Sequence, residues 1–220
     1  MKFRQTILAR TIREVTAIGD GTPRIDAVRR VQEKYKFLKA PELFHEVFPP
    51  DPSQQPITFQ GGKITIDKRE VGIVQIQFLQ NMIVVDTQTS TDDSDWIAED
   101  FISTANAAHP ESITPAGPPF YVSQIEFGME KAPDLPPQLE DTTKMIDRFL
   151  ADYGETAPKF GLWGMTLNID PHGIGVLAPA FFALERRAGF PFGAKVFFSQ
   201  APLRTRDHLV VLEKLDSIIH

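Results

Sequence analysis

Two periodicities of apolar and polar positions alternate along this chain. Residues 6–15 mix β-branched with long polar side chains and predict a strand. In residues 24–39 the apolar positions Ile25, Val28, Val31, Tyr35 and Leu38 recur at three- and four-residue spacing, which predicts a helix with one buried face. Residues 41–56 hold five prolines and predict a long loop. Three strands are then expected over 57–67, 71–80 and 82–89, the first interrupted at Gly61-Gly62. In the middle one, Val74, Ile76 and Phe78 alternate with Gln75 and Gln77, so one face should point inward. Asp92, Asp93 and Asp95 suit the first turn of a helix carrying Trp96, Ile97, Phe101 and Ile102.

The order then repeats. After a proline-rich stretch at 109–119, Ile125, Phe127 and Met129 alternate with polar residues in a strand over 120–130. Pro136-Pro137 opens a helix with Leu139, Ile146, Phe149, Leu150 and Tyr153 on one side. A strand follows over 160–170, then a turn at Asp170-Pro171-His172-Gly173. Hairpin arms at 181–187 and 195–200 precede a last helix starting near Thr205, with Leu209, Leu212, Leu215 and Ile219 inward.

These elements predict an α+β fold: an antiparallel sheet with helices on one face, built from two β-α-β-β-β-α halves, 1–108 and 120–220, joined by a linker at 109–119. The halves could share one continuous sheet. The repeat is one of pattern and not of residues, and a tandem duplication is one way to produce it. The order of elements resembles the duplicated TATA-binding-protein-like topology and the helix-grip topology. That resemblance implies a scaffold and no particular activity, because such folds host unrelated functions.

Composition narrows the classes. The 220 residues include no cysteine, which excludes disulfides, Cys-ligated zinc, iron–sulfur clusters and thiol nucleophiles. The longest run without charge, residues 173–184, is too short for the about 20 residues of a membrane-spanning helix. No signal-peptide core is visible among the arginines of the first 15 residues, so the expectation is a cytoplasmic chain with no membrane association. The net charge is −6, unlike that of proteins that coat nucleic acid. It is unevenly spread: residues 1–40 carry ten Lys or Arg against four Asp or Glu.

Candidate chemistry is sparse. Gly19-Asp20-Gly21-Thr22-Pro23-Arg24 places two glycines before a helix but lacks the lysine and spacing of a phosphate-binding loop. Asp92, Asp93, Asp95, Glu99 and Asp100 lack the glycine and bidentate glutamate of a calcium loop, and helix capping already accounts for them. The five histidines show no paired-ligand spacing; His208, beside Asp207, could act as an acid or base only if a nucleophile approached from elsewhere. Ser199 sits in no nucleophile elbow, and Glu126 and Glu130 share a strand face without sign of a cleft. No catalytic residue, metal ligand or cofactor is therefore assigned.

Two surfaces stand out instead. Arg29, Arg30, Lys34, Lys36 and Lys39 lie off the apolar stripe of the first helix, so that face could meet an acidic partner or a phosphate backbone. Phe190 and Phe192 flank a proline at a hairpin tip, where burial within the same half is hard to arrange, so the tip should meet the other half or a partner subunit. The function expected from this pattern is a non-enzymatic interaction or accessory subunit, bound to a protein partner or to a second copy of itself. A small-ligand binder or enzyme with an apolar cavity between sheet and helix is the second expectation, and nucleic-acid binding through the basic helix the third.

Overall fold

A computed structural model describes residues 1–17, 25–40, 57–79, 81–107, 113–131, 137–152, 162–168 and 181–219. The first half runs β1 (Lys2–Ala17), α1 (Ile25–Tyr35), β2 (Ile57–Ile66), β3 (Arg69–Leu79), β4 (Met82–Thr87) and α2 (Thr91–Asn106). A short β5 (Ile113–Pro115) follows inside the proline-rich stretch and pairs with the end of β1. The second half runs β6 (Phe120–Gly128), α3 (Pro137–Asp152), β7 (Gly164–Leu167), β8 (Phe182–Arg186), β9 (Val196–Ala201) and α4 (Thr205–Ile219). All strands pair antiparallel in one sheet, ordered β2-β3-β4-β1-β6-β9-β8-β7, with β5 beside β1. The fold is α+β with an antiparallel sheet, as the alternating periods predict.

The strand order reads the same outward from the central β1·β6 pair, and the register repeats with it. Ala9 faces Thr87 across β1·β4, and Ser123 faces Ala201 across β6·β9, each residue shifted by 114. That shift holds for all six pairs of both ladders. Ala9 and Ser123 thus correspond to each other, and they are also paired with each other. An antiparallel pair of corresponding residues is what a local two-fold axis produces. Above it, the first residues of α2 and α4 meet reciprocally: Thr91 N–H donates to Thr205 Oγ1 at 3.0 Å, and Thr205 N–H donates to Thr91 Oγ1 at 2.8 Å. Amides at helix starts have no intrahelical partner. Each helix satisfies the other's, and the contact ties the halves together.

Helices α1, α2 and α4 pack on the face that carries Thr11, Arg13 and Val15 of β1 and Ser123, Ile125 and Phe127 of β6. Under α1 and α2, a large core joins Val28, Val31 and Tyr35 to Phe59, Ile76 and Phe101. Under α4, a smaller one joins Ile125, Phe127, Leu184, Phe197 and Leu212. α3 contributes to neither core.

Several sequence expectations shift. The first strand is longer than 6–15 because residues 2–5 pair with β6. α1 stops at Tyr35 because Lys36 turns to φ 52°, so Leu38, expected on the buried stripe, is 86% exposed. Its place is taken by Phe37, which fits against Gly62: a Cβ there would stand 2.5 Å from the ring. This is why the strand runs through the two glycines instead of breaking at them. Val74 points outward, because a bulge between Ile73 and Gln75 shifts the alternation and leaves Ile73, Ile76 and Phe78 inward. Of the expected strand over 160–170, residues 162–168 are described, and β7 spans Gly164–Leu167. The loop at 41–56, the turn at 19–24 and the turn at 170–173 lie outside the described residues.

Candidate interaction surface

The acidic first turn of α2 is used for structure. Ser90 caps the helix, accepting from Asp93 N–H at 3.2 Å. Asp93 pairs with Arg69; burial works to raise its carboxyl, but hydrogen bonds from Arg69, Thr89 and Ser90 hold it below the usual range. Asp95 is a buried hub: Arg13 donates to it at 2.6 Å, Tyr121 at 2.8 Å and Arg204 at 3.3 Å, while Arg13 also reaches Glu99 at 2.7 Å. Arg204 continues to Asp92 at 2.7 Å. Burial, then the Asp95 carboxylate, pushes the Tyr121 phenol up to about 12. The network joins β1, α2, β6 and the start of α4 across the local axis. Among the described residues no group of three or more His, Asp or Glu could hold a metal ion.

The two candidates for acid–base and nucleophilic chemistry meet. Ser199 Oγ lies 2.9 Å from His208 Nε2, and both side chains are fully buried. Their direction is fixed by a third group. Ser199 Oγ is 2.6 Å from the Ala183 carbonyl, which can only accept, so the hydroxyl donates there and accepts from His208 Nε2–H. The imidazole lone pair is therefore on Nδ1, which has no hydrogen-bond partner among the described residues. Burial alone pushes His208 down to about 4. A general base needs its lone pair on the nucleophile and access to substrate. This pair has neither, and it stands on the core beside the ring of Phe182. Glu126 is likewise committed, to Arg187 at 3.1 Å and Arg4 at 3.6 Å.

The basic helix is partly tied down. Lys34 Nζ donates to Asp100 at 2.7 Å and to Thr104 at 2.9 Å of α2, and Arg30 donates to the Ala107 carbonyl at 3.3 Å. Arg29 is exposed. Tyr35, beside them, donates to Asp100 at 2.6 Å; burial and then that carboxylate hold its phenol well above the ordinary range. An apolar void lies beneath α1, lined among the described residues by Val28, Val31, Phe59, Phe78, Phe101, Ala105, Ala27 and Ile113. Its volume is about 10 Å³, at the limit for a single water and far below the roughly 300–1,000 Å³ of ligand sites.

The hairpin tip between β8 and β9 gathers several exposed aromatic rings. Gly189 at φ 84° and Lys195 at φ 52° turn the chain around a 3₁₀ turn at Phe192–Ala194. Phe190 and Phe192 are both more than 40% exposed. The Phe192 ring lies 6.0 Å from that of Trp163, itself half exposed, and 4.3 Å from the Arg186 guanidinium. Arg186 is buried between Phe192 and Phe197, donating to the Leu162 and Phe192 carbonyls at 2.9 and 3.0 Å. Desolvation lowers its pKa, and no carboxylate offsets that. Arg4 of β1 reaches over the Phe190 ring at 5.8 Å, so the tip touches the first half. Sequence reasoning named Phe190 and Phe192; it missed Trp163 and Arg186, whose part depends on the β7·β8 register.

No protein-family model matches this chain, and no curated protein matches it. Among the described residues no helix is long and apolar enough to cross a membrane.

Proposed function

We propose that this chain is a non-enzymatic interaction or accessory subunit that holds a protein partner at the β8–β9 tip. The observation that carries this reading is the exposed trio Trp163, Phe190 and Phe192, set among Arg4, Arg186 and Arg187. Aromatic residues and arginine dominate binding hot spots, and aromatic side chains held by packing lose little entropy on contact. Arg186 fixes the tip from beneath, so the surface is preorganised. The Ser199–His208 pair faces inward, and Asp95 and Glu126 are held in ion pairs. A cytoplasmic setting, association with a second copy, and an origin of the halves by tandem duplication belong to this proposal.

The test is the oligomeric state and partner binding of the purified chain. Light scattering should report a mass above the 24.7 kDa monomer, or a reproducible protein partner should be retained. Phe190→Ser with Phe192→Ser should abolish that association at unchanged thermal stability. A monomer without a partner, or an association indifferent to both substitutions, sinks the reading.

A further inference from the structure

The halves differ most in their first helices. α1 buries Ala27, Val28, Val31 and Tyr35 against α2 and the sheet. α3 has an apolar stripe of its own, yet Met145 is 52% and Phe149 56% exposed, and Leu139 is exposed with them. The surface that corresponds to the seat of α1 is open as well. With the shift of 114, Phe101, which lines the void under α1, becomes Leu215, and Thr104, which bonds Lys34, becomes Ile218. Phe101 is buried, whereas Leu215 is only half-buried and Ile218 is exposed. In the sheet, Ile76 and Leu184 hold the same place opposite Val85 and Ser199. Phe59 opposite Ile76 therefore corresponds to Met165 opposite Leu184. Phe59 is buried and Met165 half-exposed.

We propose that α3 has a second, closed position on α4 and β7, matching the seat of α1 on α2 and β2, so that it acts as a cover over the second core. Two exposed apolar surfaces of one chain, each with a buried counterpart in the other half, are the juxtaposition that carries this. Setting Ile146 and Phe149 in the places of Val28 and Val31 puts Met145 where α1 has the buried Ala27. Closure buries Met145 and Phe149 on Leu215 and Met165; opening exposes that floor.

The cysteine-free chain makes the test direct. Phe149→Cys with Leu215→Cys places thiols at the positions of Val31 and Phe101, which line one void in the first half. Mild oxidation should give an intramolecular disulfide in the monomer. It should form on the order of a hundredfold faster than disulfides between molecules, because tethered groups react at high effective concentration. Persistence of free thiols, or disulfide-linked dimers alone, overturns the intramolecular cover. Phe190→Ser leaves this readout unchanged, so the outcome is separable from partner binding at the tip.

Discussion

Between pH 6.5 and pH 4 the stability of this protein should fall because of one buried imidazole. His208 is fully buried, donates through Nε2 to Ser199, and leaves Nδ1 with no partner among the described residues. Protonation would place a charge on an atom with nothing to receive its hydrogen, so burial lowers the pKa from 6.5 to about 4. The sign follows. As pH drops, the unfolded chain takes up the proton near 6.5 while the folded chain refuses it until about 4. Stability is fully present above the unfolded value, declines through the interval, and the loss is complete below the folded value. The slope is about 1.4 kcal/mol per pH unit, giving a loss of about 3 kcal/mol over the interval.

Urea unfolding of the protein and of His208→Leu at several pH values isolates this effect, since carboxylates titrate in both. Near neutral pH the substitution should be close to neutral: it loses one hydrogen bond, worth about 1 kcal/mol, and removes an unpaired buried acceptor of comparable cost. Toward pH 4 the two curves should diverge in favour of the variant by about 3 kcal/mol. Parallel curves, or an imidazole resonance titrating near 6.5, would refute both the burial and the assignment of the proton to Nε2.

Other substitutions probe the links between elements. Thr205→Val should cost about 1–3 kcal/mol in urea unfolding, since Thr91 N–H loses its acceptor, and a cycle with Thr91→Val should show strong non-additivity because both sit in one reciprocal contact. Asp95→Ala leaves the buried Arg13 with Glu99 alone and should cost about 3 kcal/mol, with Tyr121 titrating closer to its ordinary value in ultraviolet absorbance. Ser90→Ala removes the α2 cap and should lower stability by about 1 kcal/mol, a thermal shift of about 3 °C by calorimetry.

The helices and most strands were legible in the sequence because burial on one side of a regular element imposes a period. What a period does not report is where the element is interrupted or what covers it. Val74 continues the alternation of Ile76 and Phe78 in sequence, yet the bulge beside it is set by pairing with β4. Leu38 continues the α1 stripe, yet the positive φ of Lys36 ends the helix first. The stripe of α3 was read as one apolar side, and in the structure Ile146 and Leu150 are half-buried while Leu139 and Phe149 are exposed, since amphipathicity states that a face is apolar and is silent about its neighbour. Ser199 and His208 were each weighed alone, because only the docking of α4 against β9 brings them together. The tip was legible for a local reason: Phe190 and Phe192 flank Pro191, and a turn leaves little room to bury both.

The repeated register makes the departures between halves more informative than the matches. Corresponding positions share backbone surroundings, so what the scaffold requires should recur, and what does not recur has another cause. Thr91 and Thr205 recur because both helix starts need an acceptor. Phe78, opposite Ile83, is a core phenylalanine; its counterpart opposite Phe197 is Arg186. Replacing a buried ring by a guanidinium with no carboxylate costs desolvation, so it cannot be explained by the core it interrupts. Its contacts say what it does instead: two carbonyls and the Phe192 ring, which together hold the tip in place. The second half gives up core quality at the position that fixes Phe192, and it leaves Met145 and Phe149 of α3 exposed. Both departures lie in the half that carries the exposed tip aromatics. On the proposed function, the second half is the one held for contact and the first the one held for stability.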